Sequence, residues 1–293
     1  MTATDATTPS GAPVERVVHE GVEVARGTGR ALAGRDVARA AAALTYFGAI
    51  SVVPWLLLAI WSTSWTAGPD AAEARLLSLE ALVPAQMGAR PAFEALVHAG
   101  THLGWLGAVV TVLPASFWGE GVRRACLSLV PREDSWTGWR ARAWLLPVLV
   151  VVPALTWVLV ELSDGPLLDL ATQDGFWPLT FRVLIGFTAL WLTLSVPLAW
   201  VFRHVAPRDA SWAAVWVGAL GTAAFLAGFL HGFLLFLAIP VDVGVPFGGL
   251  GVVGGVVAVG FWLYLLHTVL LVGWVATTVL DRRLRASRVG RAT

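Results

Sequence analysis

Lysine is absent from this sequence: all 20 basic residues among its 293 are arginines. Charge of either sign is scarce, at 13% of residues, where a soluble domain of this size carries about 25%. Cysteine occurs once, as Cys126, which excludes an intramolecular disulfide and any cysteine-based metal cluster. What fills the chain instead is apolar: 57% of residues are hydrophobic and the mean hydropathy is +0.73. These proportions exclude a soluble enzyme, a disordered chain and a disulfide scaffold. The absence of lysine reflects a coding bias toward arginine, although arginine also suits contact with phosphate.

The missing charge is missing in blocks. Uncharged runs cover Ala40–Trp61, Ala95–Gly119, Ala143–Val160, Val183–Phe202, Ala210–Val241 and Val243–Leu280. Each matches or exceeds the roughly 18–20 residues that cross a bilayer core as a helix. The expected fold is therefore an all-α polytopic bundle of six transmembrane helices with both termini cytoplasmic. The spans are placed at Ala40–Ser62, Leu96–Trp118, Ala143–Val160, Arg182–Phe202, Ala213–Ile239 and Gly251–Leu280. Residues 1–39 form a cytoplasmic tail and amphipathic lead-in, 40–280 the membrane domain, and 281–293 a basic cytoplasmic tail. In the lead-in, Val14, Val17, Val18 and Val22 line one face of a surface helix. Met1–Pro13 reads as a disordered tail. With its first 39 residues polar, the chain shows no cleavable signal peptide. Asp70–Val83 is an amphipathic piece between spans 1 and 2, the 164–178 segment a turn-rich loop, and the glycine-rich Val243–Gly255 a break before span 6. Pro54, Pro114, Pro153 and Pro197 fall inside spans 1 to 4, where they kink a membrane helix without excluding it.

Arginine placement sets the orientation. Five arginines precede span 1, five lie between spans 2 and 3, two between spans 4 and 5, and five follow span 6. Only Arg75, Arg90 and Arg182 remain for the other side, together with Asp70, Glu73, Glu80, Glu94, Glu161, Asp164, Asp169, Asp174 and Asp242. An even span count with both ends on the arginine side is self-consistent. Of the 16 tryptophans, Trp61, Trp65, Trp105, Trp118, Trp144, Trp177, Trp200 and Trp212 fall near span ends, where an indole sits best at the membrane interface.

Ionisable and hydroxyl groups at membrane depth are the candidate functional residues, because each is costly there unless paired or hydrated. His231 and His267 read either as packed structural histidines bonded to a carbonyl or hydroxyl, or as proton-relay or substrate groups. No third ligand accompanies them, so neither points to a metal. Arg182 opens span 4 on the acidic side, as a structural ion pair with Glu161 or Asp174 or as a pore or head-group contact. Glu120, Arg123 and Arg124 follow span 2, and the four-residue spacing of Glu120 and Arg124 puts both on one helical face. They form an interfacial anchor or a cytoplasmic mouth. Tyr46 and Ser51, with Thr45, bring hydroxyls to span 1 and are expected to line a cavity beside the Pro54 kink, unless they merely pack. Gly228–Gly232 and Gly251–Gly255 are small-xxx-small pairs that let helices pack closely or hinge. The chain carries no P-loop, dinucleotide fingerprint, HExxH or GxSxG, so no catalytic, cofactor-binding or metal-ligating residue is read and no enzyme activity is expected. Expected partners are membrane lipids, anionic head groups among them, and a second copy of the chain, but no nucleic acid.

Several segments carry a resemblance. Ala43-Leu44-Thr45-Tyr46-Phe47, with Ser51 and Pro54, is similar to the opening signature of the YihY/BrkB family of bacterial inner-membrane proteins. Phe202-Arg203-His204-Val205-Ala206-Pro207 with Trp212 and Gly218-Ala219 resembles a second family segment. Phe247-Gly248-Gly249-Leu250-Gly251, followed by Trp262-Leu263-Tyr264 and Gly273, resembles a third. The matches run in order over roughly residues 26–285. Phe47 and Phe247 stand where tyrosine is usual, Arg124-Ala125-Cys126-Leu127-Ser128 replaces an Asn/Tyr-containing turn, and Trp274 follows Gly273 in place of alanine. The resemblance implies a multi-pass inner-membrane protein linked to envelope integrity and serum resistance, with some members candidates for lipid or solute transport. It also brings a former ribonuclease BN label, regarded as a misassignment. A metal-dependent nuclease needs clustered carboxylates or histidines in a hydrated basic site, and the acids of the short cytoplasmic loops here are scattered. Two functional expectations stand: translocation of a lipid or amphiphilic solute, and a non-transporting scaffold for envelope proteins.

Overall fold

The computed structural model describes residues 13–78, 89–131, 137–162, 175–207, 210–238 and 243–289, and among these it is helical with no strand. The helices of the described residues are α1 (Pro13–Leu32), α2 (Val37–Ala67), α3 (Pro69–Leu77), α4 (Arg90–Thr101), α5 (Gly104–Leu129), α6 (Thr137–Leu162), α7 (Phe176–Trp200), α8 (Trp212–Ala238) and α9 (Gly251–Val289). The expected N-terminal tail, the stretch Leu79–Val83, most of the 164–178 loop and Asp242 lie outside the described residues, as do the side chains of Pro153, Trp157, Glu161 and Arg182. Among the described residues, four segments are long and apolar enough to cross a membrane alone: Val37–Trp65, Val183–Val205, Trp212–Phe233 and Gly251–Val289. A fifth crossing is available if α4 and α5, bent by 119° at their junction, count as one broken span. Helix α6 contains the third expected span.

The bend corrects one expectation. Span 2 is not a continuous helix from Leu96 to Trp118. It breaks after Thr101 and restarts at Gly104, whose φ of +65° is a left-handed conformation that interrupts a helix and that glycine adopts without strain. Both expected domain boundaries, at 39/40 and 280/281, fall inside continuous helices. Helix α2 is capped by Asp36, whose carboxylate accepts a 2.8 Å hydrogen bond from the Arg39 backbone N–H and so satisfies an otherwise orphaned donor.

The buried core gathers at one end of the bundle. It draws on the start of α2 (Ala40, Ala41, Leu44), the end of α5 (Val122, Ala125, Cys126, Leu129) and the start of α6 (Ala141, Leu145). The end of α7 (Leu198, Ala199), the start of α8 (Val215, Ala219) and the late part of α9 (Leu271, Trp274, Val275) complete it. Starts and ends alternate along the chain, as an up-and-down bundle requires. This end carries the arginine clusters. At the opposite end, Trp105, Leu106, Val109, Val110, Val150, Leu184, Val256 and Phe261 are exposed. Tryptophans mark both levels. Trp61, Trp65 and Trp105 cluster at the far end with ring centroids 4.6–5.6 Å apart, and Trp144 and Trp200 meet at the arginine-rich end with centroids 6.1 Å apart.

Helices α8 and α9 run antiparallel and interlock through a matched Gly-xxx-Thr pair. A Cβ on Gly218 would collide with Thr277, and one on Gly273 would collide with Thr222. Each threonine hydroxyl donates back to the glycine carbonyl of its own helix, Thr222 to Gly218 at 2.7 Å and Thr277 to Gly273 at 2.8 Å. The expected packing glycines lie elsewhere. A Cβ on Gly228 would touch nothing within 4 Å, and one on Gly232 only the Trp262 ring edge at 3.7 Å. Near the start of α9 it is Gly254, between Gly251 and the buried Gly255, that presses against the Val243 carbonyl.

Helix α1 lies along the late part of α9. It docks through Gly27, where a Cβ would fall 2.8 Å from Val279, and through the buried Thr28. Val18 and Val22, on the expected apolar face, stay exposed. In an interfacial helix such exposed apolar residues meet a membrane surface.

Candidate functional site

The candidate residues resolve into a polar chain inside the bundle and a charged cluster at its arginine-rich end. The polar chain joins α2, α5 and α9. The Trp118 indole N–H donates to His267 Nε2 at 3.0 Å. An indole only donates, so Nε2 is the acceptor and the ring proton sits on Nδ1. Nδ1 lies 3.1 Å from the Thr45 hydroxyl, which donates in turn to the Ala41 carbonyl at 2.9 Å. Both nitrogens of the 6% exposed His267 are thereby used. The ring fits because residue 48 is glycine: a Cβ there would lie 2.6 Å from His267 Cε1.

Ser51 works on the neighbouring contact. Its buried hydroxyl sits 2.9 Å from the Phe47 carbonyl and 3.0 Å from the Pro114 carbonyl, and the Trp55 indole donates to the adjacent Ala115 carbonyl at 2.9 Å. Together they fasten α2 to α5. Tyr46 does not join Ser51 on a cavity wall, contrary to expectation. Five residues turn a helix by about 500°, roughly 140° beyond a full turn; Ser51 faces α5 while Tyr46 is 67% exposed on the outer surface. Pro54 sits inside α2, which continues through it to Ala67. His231 turns back on its own helix, with Nδ1 2.9 Å from the Ala227 carbonyl and its ring 5.6 Å from Phe187. Arg182 lies in the early part of α7, away from the polar chain in sequence and with its side chain outside the described set.

At the arginine-rich end Glu120 is 8% exposed and holds two arginines. Arg124, one turn along α5, donates through Nε at 2.8 Å, and Arg142 of α6 donates through Nε at 2.8 Å and through a second nitrogen. Arg142 also lies over the Phe117 ring, 3.8 Å from its centroid, a cation–π contact. Arg123, likewise 8% exposed, reaches across to the Val205 carbonyl at 3.0 Å. Val205 ends a π-helical turn, Val201–Val205, that follows α7. The turn is stopped by Pro207: Ala206 before it takes the extended conformation (φ −66°, ψ 150°) that a following proline favours. His204 of this turn stacks on Trp144 with centroids 4.9 Å apart, and the Trp200 indole donates to the Trp144 carbonyl at 2.7 Å. Beyond α9's membrane stretch, buried Asp281 accepts from the Ser211 backbone N–H and from Arg285, both at 2.8 Å. The structure thus joins Glu120 and Arg124 as their spacing predicts. It separates Arg123 from them and gives it to the π turn.

Thr45 was read as a span-1 hydroxyl but not as a partner of His267, and Trp118 and Arg142 were not read as site residues at all. Their partners lie 222, 149 and 22 residues away in sequence, so no local spacing marks them. Among the described residues, two grooves lie on the flank of the bundle. One, of about 380 Å³, runs between α8 and α9 from Val24 and Leu280 past Gly221 to Phe225. The other, of about 480 Å³, includes Gly228, Gly232, Phe187 and Trp262. Both are lined almost wholly by apolar side chains.

No curated protein and no solved structure matches the chain. The family described as virulence factor BrkB matches residues 28–293, a range that takes in the polar chain, the Glu120–Arg142 pair, the π turn and the α8–α9 interlock. The chain is an apolar helical membrane protein, and it belongs to the virulence factor BrkB family.

Proposed function

We propose that the chain is a six-span protein of the bacterial inner membrane, with both termini cytoplasmic, that translocates a lipid or amphiphilic solute in envelope maintenance. In this reading α6 supplies the sixth crossing. The alternation of helix starts and ends at the core supports it, and the arginine excess at that end supports the cytoplasmic orientation. The observation that carries the transport reading is the groove between α8 and α9. Its wall is apolar along Val217, Phe225 and Val272, and it begins beside Val24 and Leu280, next to the Glu23–Arg283 pair. An acyl chain in this groove places its head group among arginines, which suit phosphate. Membrane lipids with anionic heads are therefore the partners, and no nucleic acid or catalytic step enters. Two buried acids at this end are engaged by arginines, Glu120 by Arg142 and Asp281 by Arg285.

Flux of labelled phospholipids and amphiphilic solutes in proteoliposomes tests the reading. The wild-type chain should exceed empty vesicles for at least one class. Gly221→Phe should lower that flux, since Gly221 lines the groove and nothing lies within 4 Å of its added Cβ. Arg182→Ala and His231→Ala test the two candidates outside the groove. Flux equal to empty vesicles across all classes ends the transport reading. The second reading, a non-transporting scaffold that also pairs with a copy of itself, is favoured by the polar chain through His267. That chain is closed on itself and offers no free imidazole nitrogen for relay. Recovery of a stable envelope-protein partner, with no flux, would select it.

A further inference from the structure

We infer that Glu73, His98 and His102 form a binding site for a zinc-class divalent metal ion at the end of the bundle opposite the arginine clusters. Glu73 lies on α3. His98 and His102 stand four residues apart at the end of α4, so both project from one face. One ligand atom from each of the three lies within 4.8 Å of the other two. His98 Nδ1 is 3.2 Å from Glu73 Oε1, and His102 Nδ1 is 3.5 Å from Glu73 Oε2. A tetrahedral ion with bonds of about 2.0–2.1 Å holds its ligands roughly 3.3 Å apart, so the His98–Glu73 separation already matches. The imidazole centroids are 4.7 Å apart, and a side-chain adjustment of His102 brings its Nε2 to the remaining two edges.

The surroundings suit a ligand set. The Thr101 hydroxyl lies 3.5 Å from Glu73 Oε2 and holds the carboxylate from behind. The His98 carbonyl lies 3.1 Å from His102 Nδ1. A proton placed there leaves the lone pair on Nε2, which is 3.9 Å from Asp70 Oδ1. Backbone carbonyls commonly orient metal-bound histidines in this way. Two imidazoles and a carboxylate favour zinc and its neighbours over magnesium or calcium, which prefer oxygen ligands alone. His98 and His102 side chains are 68% and 42% exposed, leaving room for water in the remaining position. The ion would tie α3 to α4 beside the 119° bend into α5. This inference does not depend on transport.

Titration of the full-length, tag-free chain in detergent with zinc chloride tests it, read by calorimetry and by cobalt absorption. One ion per chain is expected. His98→Ala and Glu73→Ala should each weaken binding by at least about 100-fold, the upper end of what losing even an outer partner costs. His19→Ala and His204→Ala should leave it unchanged. Zinc should also raise the Tm of the wild-type chain but not of His98→Ala, because an ion that binds only the folded state stabilises it. Wild-type uptake no greater than that of a His98→Ala/His102→Ala double variant would overturn the site. So would binding that His19→Ala or His204→Ala abolishes.

Discussion

The two ends of the bundle are held by different means. At the arginine-rich end the helices meet through directed contacts: Glu120 with Arg142, Arg123 with the Val205 carbonyl, Asp281 with the Ser211 N–H, and the glycine–threonine interlock of α8 with α9. At the far end the same helices present Leu106, Val110, Leu184 and Phe261 outward, and the tryptophan cluster at Trp61, Trp65 and Trp105 marks the interface. In hydrocarbon a leucine gains little by leaving lipid for a neighbouring helix, so small residues and polar bonds decide which helices touch. The larger buried core lies at the arginine-rich end, and a smaller cluster of Leu58, Ala108, Ala115 and Leu149 lies apart from it.

Removing a directed contact should therefore cost far more than changing an apolar one. The largest effect is expected for Glu120→Ala. It strands Arg142, whose side chain is only 18% exposed. Breaking a buried ion pair from one side costs about 3–5 kcal/mol, and the greater exposure of Arg124, at 56%, places this one near 3 kcal/mol on the same scale. Equilibrium unfolding in mild detergent measures it, and a Tm unchanged from wild type would remove Glu120 from the scheme. Gly218→Ala should come next, at about 1–3 kcal/mol for overpacking against Thr277. Thr277→Ala in the same chain should restore most of that loss, since the two positions are in contact and couple. Gly228→Ala, ten residues further along the same helix and facing open space, should stay within about 0.5 kcal/mol. Equal losses at 218 and 228 would erase the distinction between the two ends.

Much of this was legible in the sequence, and the illegible part has a physical reason. Hydropathy placed the helices because a bilayer demands long uncharged runs. Arginine counts grouped the helix ends that the core later united. The Glu120–Arg124 pair was visible because both partners sit on one helix. Span 2 was misread because hydropathy reports polarity and not φ, and only the left-handed Gly104 shows where the helix turns. Tyr46 and Ser51 were grouped by chemistry although the helix points them apart. The glycine pairs chosen by spacing were passed over for Gly218 and Gly273, since close approach depends on what stands opposite, and here that is a threonine on another helix. His98 and His102 carried a readable four-residue spacing, but their third partner, Glu73, lies 25 residues before His98.

The smallest effect tests how α1 attaches, where the contact is directed but wet. Glu23 accepts from Arg283 of α9 at 2.6 Å and from Arg26 at 3.1 Å. The Arg283 hydrogen bond, and then that of Arg26, hold the Glu23 carboxyl below its ordinary value of 4.5. A carboxylate whose folded pKa is depressed adds stability that is fully present above the unfolded value and fades as pH falls through the folded one. Docking of α1 should therefore be insensitive to pH above about 5 and weaken below about 4, on the reference scale for carboxylates. Added salt should shrink the effect, because exposed pairs are screened. Glu23→Gln should abolish the acid-side slope while leaving Gly27 and Thr28 to hold the helix. A fluorophore on α1 reports the release. An acid-side slope that survives Glu23→Gln would assign it to another carboxylate and leave α1 held by packing alone, by the same small-residue contact that joins α8 to α9.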